Sequence, residues 1–270
     1  MPEGHTIHRL AERHRKLFAG RPVAVASPQG RFAADAGAVD GRVMVDTSAH
    51  GKHLFHHYEG GGTVHVHLGL YGKFTDGDGA PPPPVGEVRM RLSNGEHWLD
   101  LRGPTACELL DPAQVSALHD RLGVDPLGDA GDGSPAYARI HGSTRPLMAL
   151  LMDQSIVAGA GLIYVTESLF RAGLAPTTPG TKLTRRKWQT IWTDLQVLMR
   201  AGVAEGRIDT VHSAHTPEAM ARAPRVDRHG GEVYVYRRTG QPCLVCGTEV
   251  RTAVLNARNA YWCPRCQRAR

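Results

Sequence analysis

No run of 18 apolar residues occurs in the 270-residue chain, so no membrane-spanning helix is expected. The first twenty residues carry charges throughout instead of an apolar stretch, so a secretory leader is not expected and the reading is cytoplasmic. No internal repeat is visible, which sets solenoid and propeller folds aside. Cysteine is scarce: of five, four lie between positions 243 and 266, and only Cys107 lies elsewhere. That excludes a disulfide-rich scaffold, and Cys107 reads as a small buried hydrophobe. Lysine fills only five of the 32 Lys and Arg positions.

The chain is 41% apolar, enough to bury a core, and its length suits two domains. Its net charge of +6 suits a polyanionic partner without establishing one. Arginine carries most of that charge and grips phosphate in a two-pronged way that lysine cannot.

Cys243-x-x-Cys246 and Cys263-x-x-Cys266 are two knuckles separated by sixteen residues, the spacing of a four-thiolate zinc site. Two disulfides are the alternative, which a reducing compartment disfavours. A set of four thiolates leaves zinc no position for water, so one structural Zn2+ is expected. Between the knuckles, residues 249–255 and 260–262 read as strands around Asn256-Ala257-Arg258-Asn259. This predicts a zinc-stapled hairpin with Arg258 at its tip, suited to clasping a phosphate. A solvated loop residue is the plainer reading of Arg258.

At the other end, removal of Met1 would leave Pro2 with a free secondary amine. Such an amine can attack an aldehyde-like carbon and form an iminium, an electron sink for elimination. Its pKa near ~8 leaves roughly a tenth nucleophilic at neutral pH. Glu3 adds a carboxyl for proton transfer. Most chains beginning Met-Pro-Glu do nothing special with these residues. Ile7, Leu10, Ala11, Leu17 and Phe18 then recur at helical spacing, and a helix starting there would favour an unprotonated amine and an ionised Glu3.

From about 23 to 110, short alternating segments (Val43–Val45, Leu54–His56, Val64–His67, Val88–Leu92) predict an antiparallel sandwich or barrel. Residues 76–84 read as a surface loop, with Asp-Gly-Asp-Gly a plain turn rather than a calcium loop. Residues 125–134 read as a linker between an N-terminal catalytic domain (1–124) and a helical domain (135–232), with a zinc finger over 233–270. Helices are expected over 145–152, 162–172 and 183–199, the last with Trp188, Ile191, Trp192, Leu195 and Leu198 inward. Residues 206–231 show no periodicity and read as a loop that orders on binding. The fold class is α+β.

Four stretches together resemble the formamidopyrimidine-DNA glycosylase / endonuclease VIII family of base-excision repair enzymes. They are Pro2-Glu3-Gly4, Gly51-Lys52-His53-Leu54, the turn Leu151-Met152-Asp153-Gln154-x-x-Val157-Ala158-Gly159-x-Gly161, and the zinc hairpin with Arg258. The resemblance implies a β-sandwich flanked by helices, a helix–two-turn–helix domain and a zinc finger. It also implies a monomer that binds damaged double-stranded DNA at the nucleoid and flips a nucleotide out of the stack. Pro2 would attack the sugar C1′, expelling the base. Glu3 would protonate the opening ring, while Lys52 and Arg258 would hold phosphates beside the lesion. Loss of the 3′ and then the 5′ phosphate would follow, with no metal or nucleotide cofactor in the chemistry.

A wedge must fill the hole left by a flipped base. Leu70-Tyr71 matches the family's wedge position and resembles the endonuclease VIII branch; packing into the core is the alternative. After Asp100-Leu101-Arg102, where the purine-directed branch carries an arginine-phenylalanine wedge, this chain has Gly103-Pro104. Both points favour oxidised pyrimidines. The family's turn motif ends Gly-Asn, the Asn contacting DNA backbone, whereas here Gly161 is followed by Leu162. That departure opens a second reading: a DNA-binding paralogue without lyase activity, or one specialised for bulky lesions. Thr6 stands where endonuclease VIII relatives often carry a second Glu, and reads as a helix-start residue. His53, His56, His57, His65 and His67 could form a second metal site, but packing and DNA-facing polar roles explain them more simply. Arg185-Arg186-Lys187 reads as a solvated helix end.

Overall fold

Ile7, Ala11, His14 and Phe18, three or four residues apart, form the buried face of helix α1 (Gly4–Phe18). The computed structural model describes residues 2–129, 131–227 and 231–268. The chain divides into two units, Met1–Arg121 and Leu122–Arg270.

Among the described residues of the first unit there are nine strands. These are β1 (Arg21–Pro22), β2 (Ala24–Ala26), β3 (Val43–His50), β4 (His53–Tyr58), β5 (Thr63–His67), β6 (Lys73–Asp78), β7 (Val88–Ser93), β8 (His97–Arg102) and β9 (Ala106–Leu110). Strands β2 and β7 alternate strictly in burial, while β4 and β5 are buried along most of their length. They pair as two sheets, β1-β3-β4-β5-β9 and β2-β7-β8-β6. Met44, Leu54, Val64 and Val66 from one sheet meet Met90, Leu92, Leu99 and Leu101 from the other, with Phe18 and Phe32. This is the sandwich that the alternation predicts. Helix α2 (Ala33–Val39) and helix α3 (Pro112–Asp120), opened by an Asp111–Gln114 capping box, complete the unit.

The predicted loop at 76–84 begins later than expected. Asp76, Gly77 and Asp78 belong to β6 and pair with Leu99, Trp98 and His97. Gly77 lets the Trp98 ring approach so closely that a Cβ there would stand 2.9 Å from it. Composition suggested a turn, but the glycine serves a cross-strand ring contact.

The second unit holds α4 (Ser134–His141), α5 (Leu147–Leu151), α6 (Leu162–Arg171), α7 (Arg185–Glu205) and a hairpin of β10 (Arg251–Leu255) with β11 (Arg258–Trp262). The five predicted inward residues of α7 are all buried. That helix runs six residues past the predicted 199, ending at Gly206 with φ 73°. Helix α5 starts two residues later than predicted because Pro146 holds an extended ψ of 139° as its N-cap. Two carbonyls of the predicted linker are held by α7: Trp188 Nε1 donates to that of Asp132 (3.0 Å) and Trp192 Nε1 to that of Gly131 (2.8 Å).

Residues 206–231, expected as a loop awaiting a ligand, already hold polar anchors among their described residues. Glu167, fully buried on α6, accepts from the Thr210 hydroxyl (2.7 Å) and from the amides of Tyr234, Val235 and Tyr236 (2.7–2.9 Å). A carboxylate with four donors is satisfied in the interior and fixes the strand of chain entering the zinc region. Residues 228–230 lie outside the described residues.

Candidate functional site

Glu3 is the N-cap of α1; its carbonyl accepts from Thr6 N (2.9 Å), its side chain makes no capping bond, and it is 3% exposed. A buried carboxyl is thus set at the positive end of a 15-residue helix, directly after a half-buried Pro2. Thr6 is an ordinary first-turn residue. His5 beside it is buried, and burial together with Arg9 pushes its pKa down to about 4, so its ring is neutral.

Helix α1 runs antiparallel to β3. Arg15 Nε bonds Asp46 (2.5 Å), and one turn earlier the Ala11 carbonyl accepts from Thr47 Oγ1 (2.5 Å). Following both elements further brings the helix N-terminus and the β3–β4 turn to the same end of the sheet. That turn is Gly51-Lys52, closed by the pair His50–His53, with Gly51 at φ 58°. Pro2, Glu3 and Lys52 therefore share one end of the first unit. Lys52 lies close enough to His67 to depress that imidazole's pKa, after burial and His65.

Leu70 and Tyr71 are 57% and 84% exposed, so they stand out from the surface between β5 and β6 and do not join the core. Gly69, at φ 63°, packs so tightly on Thr105 that any Cβ would clash with its hydroxyl. Behind Tyr71, Gly103 also has positive φ (60°). The histidines pair with one another: His53 Nδ1 lies 2.8 Å from His65 Nε2, and His65 Nδ1 3.0 Å from Glu108. Burial, then neighbouring histidines, push His53 down to about 3. Burial likewise pushes the Cys107 thiol up to about 12, as suits an inert residue.

In the second unit, Gln154 clamps the turn before α6. Its Nε2 donates to the Met152 and Ala160 carbonyls and its Oε1 accepts from Gly159 N, at 2.9–3.1 Å. The motif contained Gln154, but its task was invisible because its partners are backbone atoms. Gly161 caps α6 in extended conformation, and Leu162 packs half-buried against the helical core. Arg258 is not at the hairpin tip. Asn256 and Ala257 take the turn with φ 49° and 59°, and Arg258 opens β11 opposite Leu255. Positive φ at both positions makes this a two-residue type I′ turn, closed by the pair Leu255–Arg258. Arg185 stacks over Tyr137 (4.9 Å to the ring) and Lys187 Nζ donates to the Ala172 carbonyl, so that helix end is partly tied down.

The sulfurs of Cys243 and Cys266 lie 3.9 Å apart, those of Cys246 and Cys263 3.5 Å, and all four within 4.8 Å. Tetrahedral zinc with Zn–S of about 2.3 Å needs sulfurs about 3.8 Å apart. A disulfide needs about 2.05 Å. The four cysteines therefore form one structural zinc site, and among the described residues no other group of ligand atoms converges.

Residues 1–107 match the formamidopyrimidine-DNA glycosylase N-terminal domain, and 122–213 the H2TH domain of the same glycosylase. Residues 240–269 match the zinc finger found in FPG and IleRS. The chain belongs to the formamidopyrimidine-DNA glycosylase / endonuclease VIII family. Endonuclease 8 1 of Mycobacterium tuberculosis is 50% identical over 274 residues, covering 99% of this chain and all of the relative. A formamidopyrimidine-DNA glycosylase of Parasynechococcus marenigrum is 32% identical, over 99% of each chain. Among solved structures, the MutM (FPG) protein of Thermus thermophilus superposes with a TM-score of 0.76 at 28% identity over the full length of both. Lactococcus lactis Fpg bound to DNA containing an AP site shares the fold, with a TM-score of 0.79 at 20% identity over 98% of this chain and 99% of that one. As a member, this chain is a DNA glycosylase family enzyme with a zinc finger, and no helix among its described residues is long and apolar enough to cross a membrane.

Proposed function

We propose that the chain is a bifunctional DNA glycosylase and abasic-site lyase acting on oxidised bases, with pyrimidines favoured. The observation that carries it is the joint placement of Pro2, buried Glu3 and the Lys52 turn at one end of the sandwich. With Met1 removed, the Pro2 nitrogen attacks C1′ of a flipped nucleotide. The N–C1′ bond forms as the glycosidic bond breaks, and the base leaves with its electron pair. Glu3 delivers a proton to the ring oxygen as the sugar opens to the iminium. The iminium draws electrons from the neighbouring C–H bond, so a base removes that proton and the 3′ phosphate leaves. Lys52, as a cation beside the site, neutralises phosphate charge. The closed zinc site takes no part in bond making.

The exposed Leu70-Tyr71 pair supports the pyrimidine preference. Two apolar side chains held above the turn by Gly69 form a wedge that offsets an unstacking cost of a few kcal/mol.

Borohydride trapping tests the mechanism. Incubation with duplex carrying an abasic site or an oxidised pyrimidine should give a covalent adduct, lost when the N-terminal amine is chemically blocked or Met1 is retained. Tight, salt-sensitive binding without any adduct would overturn the lyase reading.

Leu162 favours the second reading, a DNA-binding relative without lyase activity, because its packed side chain offers DNA no hydrogen bond. Leu162→Asn should cost about 1–3 kcal/mol of stability from lost burial and strengthen binding to abasic duplex by the charge-assisted contact it restores. Unchanged binding in a folded variant would show that the turn no longer meets the strand.

A further inference from the structure

We propose that Arg145 is a second phosphate-gripping residue, sharing one anion site with Arg258 and held ready by Asp153. The inference rests on the DNA-binding reading above.

Arg145 and Arg258 line the same 250 Å³ cavity, with Met148 and Met152 of the α5 segment as apolar walls and Asn256 at the turn. The backbone at Arg145 is pinned: its N–H donates to Ser143 Oγ (3.2 Å) and its carbonyl accepts from Gly180 N (3.0 Å). Pro146, next in the chain, has a fixed φ of −57°. The guanidinium is therefore displayed from a rigid base while 54% of the side chain stays exposed.

Its contact with Asp153 is a single long one, Nη1 to Oδ2 at 3.3 Å. The other Asp153 oxygen is committed to the turn, accepting from Ser155 N (3.2 Å) and Ser155 Oγ (2.7 Å). Asp153 thus orients Arg145 without saturating it. Arg258 contacts only a weak acceptor, Met152 Sδ at 3.4 Å, and makes no ion pair among the described residues. Two cations facing one cavity across a single acid leave a net positive site. Its natural occupant is a monoanionic phosphodiester, which guanidinium groups bind through paired, charge-assisted bonds.

Binding to a duplex with a non-cleavable abasic analogue, measured against salt, tests this. Arg145→Ala should weaken binding five- to tenfold at 0.1 M salt and reduce the slope of log Kd against log salt by about 0.9, one phosphate contact. Arg145→Lys should keep the slope while recovering only part of the affinity, because its ammonium is a point charge. With both arginines on one phosphate, Arg145→Ala with Arg258→Ala should lose less than the two single losses combined. A normal slope in Arg145→Ala beside a reduced one in Arg258→Ala overturns the inference and leaves the DNA reading standing. Salt-independent binding in every protein, wild type included, removes the DNA reading itself. Saturable stabilisation of the free protein by millimolar inorganic phosphate, lost in Arg145→Ala, would make this a free-anion site and also overturn the inference. Arg145→Gln provides the same comparison should the alanine variant fold poorly.

Discussion

Chelating the zinc, or changing Cys263 to Ser, is expected to unfold residues 240–268 and abolish DNA binding, while the β-sandwich unit stays folded. The reason is that the zinc holds the two knuckles from which the hairpin springs. Strands β10 and β11 are a two-stranded hairpin of five residues each, and Arg251, Thr252, Ala253 and Val254 are exposed. Such a hairpin is marginal in water by itself. Around the knuckles the apolar support is a small cluster of Phe170, Tyr234, Val235 and Val250, in which two further members, Cys243 and Cys263, are zinc ligands, while Ala260, Leu255, Tyr261 and Trp262 of the hairpin pack on the helical core. Structural zinc contributes about 10–16 kcal/mol in comparable peptides, far more than this cluster supplies. Gln267 ties the second knuckle down, accepting from Cys263 N (2.9 Å) and donating to the Leu174 carbonyl (2.8 Å), but two hydrogen bonds contribute only about 1–3 kcal/mol. Backbone amide exchange would show protection lost from 240 onward and retained in β3 to β5. Full protection of β10 and β11 in metal-free protein would refute the stapling argument. Since Arg258 sits on β11, affinity for abasic duplex should fall by at least the contribution of that contact.

Much of this was legible because its signals are local. The cysteine spacing gave the zinc site, and alternation gave β3, β4, β5 and β7. The 3.6-residue recurrence of Trp188, Ile191, Trp192, Leu195 and Leu198 gave α7 and its inward face. Signals that depend on a distant partner were not legible. The role of Glu167 rests on amides nearly seventy residues later, and backbone amides have no sequence signature. Gly77 looked like a turn residue until Trp98 came beside it. Arg258 was placed at a tip because an Asn-Ala turn lacks the glycine that usually marks positive φ. Arg145 was hidden for a similar reason: its meaning comes from a cavity it shares with a residue more than a hundred positions away.

Lowering the pH from 7 to 5 is expected to destabilise the sandwich unit steeply, by an amount comparable to its whole stability. His14 on α1 and His56 on β4 are buried against each other, Nδ1 to Nε2 at 3.0 Å. Burial pushes His14 down to about 3, helped by Arg13, and holds His56 well below its ordinary value, helped by His14 and His57. Burial likewise takes His53 to about 3 and His5 to about 4. In the unfolded chain each imidazole takes up a proton near pH 6.5. Above that pH neither state is protonated and the folded protein loses nothing. Between 6.5 and the folded value only the unfolded chain binds the proton, so stability falls as pH falls. Each histidine that stays neutral down to pH 5 costs about 2 kcal/mol there relative to pH 7. Three such groups, His14, His53 and His5, approach about 6 kcal/mol, within the 5–15 kcal/mol typical of a whole domain, and His56 acts in the same direction. In the neutral His14–His56 pair one ring donates its N–H to the other; the first added proton makes one buried cation, and a second would set two cations with facing N–H groups 3.0 Å apart away from water. Denaturant unfolding followed from pH 7.5 to 5 should show the midpoint collapsing below pH 6.5. Imidazole resonances of the folded protein for these four rings should not titrate above pH 5. A flat stability profile over that range would mean that the pair opens to water or finds a counter-ion, and the buried-neutral description of α1 on β4 would have to be abandoned.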